Sequence, residues 1–90
     1  MEKKHRTFPN TLRLHRKIMG YTQRQVAMLL GLHDSVPISL WESGAKLPNT
    51  ENLIKLSLLY RTYPNELYSD VFRHHREILQ AKEIQVLKIS

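Results

Sequence analysis

Ninety residues suit one small domain whose single core hides only about 60–65% of the unfolded surface, so help from dimerisation is expected. With no cysteine there is neither a disulfide framework nor a thiolate metal site, and no apolar run approaches the roughly 20 residues that span a bilayer. The formal net charge is +6 and the pI near 9.9; nothing at the start reads as a signal-peptide core, so a cytoplasmic location is expected.

The chain opens with a basic arm, residues 1–7. Lys3, Lys4 and Arg6, with Arg13, Arg16 and Lys17 just beyond, stand against Glu2 alone, so residues 1–17 carry +5. Such an arm suits phosphate contact or minor-groove tracking, although alone it reads equally well as a solvated terminus. A first helix is expected over 10–19, stopped by Gly20, with Phe8, Leu12, His15 and Met19 inward and Leu14 and Ile18 on the adjoining stripe. His15 on that face reads as a satisfied core histidine.

A second helix is expected over 23–30. Thr22 and Gln25 form a capping box, Val26, Ala27 and Leu30 share a face, and Gly31 ends it. A third is expected over 35–43, capped by Asp34 or Ser35 and closed by Gly44. Its Ile38 and Trp41 meet at i,i+3, which makes Trp41 core rather than a ligand-stacking ring. Pro37 is tolerable only in the first turn. A fourth helix begins at Asn49 or Thr50 behind Pro48 and turns Leu53, Leu56 and Tyr60 inward. Pro64 opens a short fifth with Leu67 inward.

Ile54 and Leu58 flank the inward stripe of the fourth helix and need cover, for which residues 70–90 are the candidate. There Asp70 can cap a sixth helix in which Val71, Phe72, Ile78, Leu79 and Val86 recur at sevens. Helix is expected to about residue 84. The β-branched residues of 84–89 could instead form a strand.

Two capped helices around a tight turn make the helix-turn-helix plan, whose second helix enters the DNA major groove. The stretch GYTQRQVAMLLGLHDSVPISLWESG resembles the Cro/repressor-type (XRE) helix-turn-helix family. Arg16, Gly20, Thr22, Gln23, Ala27, Gly31, Ile38, Ser39, Trp41, Glu42, Gly44 and Pro48 carry that resemblance in order, and it covers roughly residues 8–68. It implies an all-α fold: a five-helix lambda-repressor-like domain over 8–69, with residues 70–90 as a C-terminal extension. The function implied is sequence-specific binding of double-stranded DNA by a homodimer that regulates transcription as a repressor.

The resemblance also assigns roles. Arg16 and Glu42 become an ion pair linking the first helix to the end of the third, the alternative being two unrelated surface charges. Gln23 is placed on a DNA phosphate, with Thr22 as cap first and phosphate contact second. Lys46, Asn49 and Thr50 follow as further phosphate contacts, which set register but carry little sequence information. Alignment backwards from Trp41 puts Ser35, Val36, Ser39 and Leu40 at the base-reading positions. None of the Gln, Asn, Arg or Lys side chains that bond bidentately to purine edges stands there, and the turn looks one residue longer than the family norm, with His33 as the extra. Val36 and Leu40 suit thymine methyls; the serines suit almost any base.

The core expected from the resemblance and the periodicity together is Leu12, Ala27, Leu30, Ile38, Trp41, Leu53 and Leu56. Ile54, Leu58, Phe72 and Leu79 are candidate dimer contacts, or in a monomer would seal the tail against the fourth helix. Five histidines lack ligand spacing, and no phosphate-cradling loop, catalytic triad or carboxylate pair is suggested, so no metal, cofactor or enzymatic activity is expected. Two other roles share the pattern: an antitoxin that represses its own operon and holds a toxin, and a protein-interaction module that keeps the fold without base reading.

Overall fold

The computed structural model describes residues 7–89, and among these all regular structure is helical. In chain order the helices are α1 (Leu12–Met19), α2 (Gln23–Leu30), α3 (Val36–Glu42), α4 (Thr50–Leu59), α5 (Pro64–Leu67) and α6 (Ser69–Ile89). None of them is long and apolar enough to cross a membrane.

α1 starts two residues later than the periodicity suggests, because the preceding residues bond elsewhere. The Asn10 side-chain amide donates to the carbonyls of Phe8 and Trp41, both at 2.9 Å, while its oxygen accepts from Leu12 N–H at 3.0 Å. Thr11 donates from its backbone N–H to the Leu67 carbonyl (2.9 Å) and from its hydroxyl to that of Glu66 (3.0 Å). These bonds fasten the approach to α1 across the end of α3 and α5.

The capping box of α2 forms in both directions, Thr22 Oγ1 accepting from Gln25 N–H at 3.0 Å and Gln25 Oε1 from Thr22 N–H at 2.9 Å. Gly31 ends the helix at φ 77°, and a Cβ there would meet nothing within 4 Å, so glycine is needed for the dihedral alone. Between the two candidate caps of α3, Asp34 prevails: its Oδ1 accepts from Val36 N–H at 3.0 Å, whereas Ser35 makes no cap bond. Pro37 falls in the first turn, where no intrahelical N–H is lost. Asn49 caps α4 by accepting from Asn52 N–H at 2.8 Å.

Leu12, Val26, Ala27, Leu30, Ile38, Trp41, Leu56, Tyr60, Leu67 and Tyr68 form one buried cluster. Leu53 is a correction to the expected core. It is only partly buried and packs on the margin of the cluster, one turn from the exposed opening residues of α4. His15 is half-buried and its Nδ1 lies 2.9 Å from the Thr11 carbonyl, which satisfies it on the core face.

The expectation that residues 70–90 cover α4 fails. Ile54 is 52% and Leu58 73% exposed. Tyr68 alone separates α5 from α6, so there is no loop with which to fold back. α6 packs against α5 near its start, only Val71 joins the core margin, and the rest projects outward in a molecule of 50 × 38 × 23 Å. It stays helical to Ile89, so the β-branched residues of 84–89 do not form a strand.

Candidate nucleic-acid interface

α3 is amphipathic in the sense a reading helix requires. Ile38 and Trp41 go into the core, while Val36, 57% exposed, and Ser39 face outward. Ser35 and Leu40 are half-buried at the edges of that outward side. Residues 36, 39 and 40 share a face because a helix turns about 100° per residue.

Beside that face Arg13, Arg16, Gln23, Ser39, Glu42 and Ser43 line a polar hollow between α1, α2 and α3. Arg16 and Glu42 form a two-pronged pair within it, Nε to Oε2 at 2.6 Å and Nη2 to Oε1 at 3.1 Å, with side chains only 10% and 5% exposed. Arg16 Nη1 also donates to the Tyr21 carbonyl at 3.0 Å. Hydrogen bonding to Glu42 outweighs the opposing effect of burial and raises the Arg16 pKa above its ordinary value. Each charge therefore has its partner, and Arg13, exposed at the rim, leaves the hollow with net positive charge.

Gln23 has a partner that sequence reading did not foresee: its Nε2 donates to Glu42 Oε1 at 2.9 Å. One amide hydrogen is thereby fixed and the other stays available to an acceptor. Thr22 and Asn49 accept their cap bonds through oxygen, which leaves the Thr22 hydroxyl proton and the Asn49 amide group free to donate outward. Lys46 and Thr50 are exposed nearby in the chain. Lys3, Lys4 and Arg6 lie outside the described residues. Arg13, which sequence reading placed only in the basic stretch leading into the first helix, and Ser43, to which it assigned no role, both line the hollow. The signal for Arg13 was its place one turn before Arg16, on the side of α1 that meets α2 and α3.

A family model described as helix-turn-helix matches residues 12–67, from the start of α1 to the end of α5. No match was found among the curated proteins or among the solved structures. The matching family consists of DNA-binding regulatory domains rather than enzymes. With more than half of the chain matched and the ion pair, caps and α3 geometry in place, this protein belongs to the Cro/repressor-type helix-turn-helix family of DNA-binding transcription regulators.

Proposed function

We propose that this chain is a cytoplasmic repressor that binds a two-fold-symmetric operator as a homodimer. Ser35, Val36, Ser39 and Leu40 read base edges, while Thr22, Gln23, Lys46, Asn49 and Thr50 hold phosphates. Lys3, Lys4 and Arg6 add contact from the arm, and Arg13 joins the phosphate set through its position at the rim of the hollow. The observation that carries this reading is the outward side of α3, with Val36 and Ser39 exposed beside a positively charged hollow. An apolar Val36 and Leu40 suit thymine methyl groups, and serine hydroxyls accept or donate to either strand. Selectivity then rests on methyl contacts and DNA shape more than on bidentate bonds.

Selection of bound duplexes from a random library tests this. A palindromic motif should emerge, and affinity for it should fall steeply between about 50 and 200 mM salt, as phosphate neutralisation requires. Recovery of no motif, together with salt-insensitive capture of a protein, would replace this reading with the interaction module. Co-purification of a small toxin alongside an enriched motif would refine it to the antitoxin.

A further inference from the structure

α6 carries a seam that the fold leaves open. Phe72, Leu79 and Val86 recur every seven residues, and His75, Lys82 and Ile89 follow each by three, which is the spacing of a two-stranded coiled coil. All six are exposed. Val71 and Ile78 border the seam on one side, Arg76 and Glu83 on the other, and much of its length opens as an apolar groove lined by Val71, Phe72, Leu79 and their neighbours. From Phe72 to Ile89 the seam runs about 26 Å at 1.5 Å per residue.

We propose that α6 of a second copy of this chain lies in that seam, antiparallel to the first. This rests on the homodimer reading and gives it a surface. Charge decides the direction. In a parallel pair each intervening residue would meet its own copy, so Lys82 would face the partner's Lys82 and His75 the partner's His75, while Arg76 and Glu83 would flank only the apolar Val71 and Ile78. In an antiparallel pair Phe72 meets the partner's Ile89, His75 the partner's Val86, and Lys82 the partner's Leu79. The lysine stem then lies on an apolar side chain while its ammonium reaches solvent. The same register sets Arg76 opposite the partner's Glu83, and the two-fold axis repeats that contact. Among the described residues neither Arg76 nor Glu83 has an ion-pair partner within the monomer, whereas Arg73 is already joined to Asp70.

Sedimentation equilibrium of the full chain tests the pairing, with helix content by circular dichroism as the control for folding. Arg76→Glu and Glu83→Arg should each weaken dimerisation about tenfold by placing like charges opposite one another. An equimolar mixture of the two variants should recover the wild-type affinity, because each substituted position then meets an opposite charge. The chain has no cysteine of its own, so oxidation of mixed His75→Cys and Val86→Cys chains should cross-link one variant to the other. A chain that stays monomeric, a dimer indifferent to both charge reversals, or cross-linking of Val86→Cys chains to themselves would each overturn the proposal. A monomer that still selects a DNA motif would sink the pairing and spare DNA binding. A dimer that responds to the reversals yet selects no DNA would do the opposite.

Discussion

At the scale of single residues, the Arg16–Glu42 pair links α1 to α3, and its worth depends on both charges being present. Glu42→Ala alone strands a nearly buried guanidinium and should lower stability by about 3–5 kcal/mol. Removing both charges, with Arg16→Met and Glu42→Ala together, should cost less than that single change; urea denaturation of the three chains measures the difference. Equal or larger loss in the double variant would mean the two residues act independently.

Two buried tyrosines should make the fold sensitive to alkaline pH. The hydroxyls of Tyr60 and Tyr68 find no hydrogen-bond partner among the described residues. Burial pushes the Tyr68 pKa up to about 12, and burial followed by the Glu42 charge raises that of Tyr60 as well. An unfolded tyrosine ionises near about 10. Between about pH 10 and 12 the unfolded chain therefore releases protons that the folded chain keeps. Stability is complete below that window and falls through it by about 1.4 kcal/mol per pH unit for each tyrosine. Denaturation midpoints at about pH 9 and about pH 11 should show the drop, and Tyr68→Phe should reduce it. A slope unchanged by that substitution would contradict the assignment.

At the scale of elements, α2 and α4 were legible because their signals are local. Thr22 and Gln25, Asn49 behind Pro48, and the stop at Gly31 all act within a few residues of the helix they bound. The late start of α1 was hidden because Asn10 bonds to Trp41, 31 residues away, and no short window of sequence contains that contact. The bond from Gln23 to Glu42 was hidden in the same manner, since the two lie 19 positions apart. Leu53 carries the right periodicity, but periodicity says nothing of how close a helix end lies to solvent. The end of α4 also escaped notice: Arg61 adopts φ 54° where glycine usually stands, with Thr62 N–H donating to the Ser57 carbonyl at 3.0 Å. Arg61→Gly should relieve that strain and stabilise the fold by up to about 1 kcal/mol, read as a raised thermal midpoint. A lowered midpoint would show that the arginine side chain contributes more than its backbone loses.

For the molecule as a whole, two of the surfaces outside the core carry the functional reading: the outward side of α3 with its polar hollow, and the projecting α6. The first belongs to the part of the chain that the family covers; the second lies beyond it. In the proposed dimer, this separation would let α6 join copies without burying the outward side of α3, and the partner copy would cover the exposed Phe72, Leu79 and Val86.

Everything functional depends on Val36 and Ser39 meeting a nucleic-acid groove, and one substitution addresses that without disturbing the core. Val36→Asp puts a carboxylate on an exposed first-turn position, where folding should be unaffected and the thermal midpoint preserved. Measured on a duplex selected by the wild-type chain, its dissociation constant should rise by about tenfold or more, through repulsion from flanking phosphates and loss of the methyl contact. Wild-type affinity in that folded variant would place the groove-facing surface elsewhere.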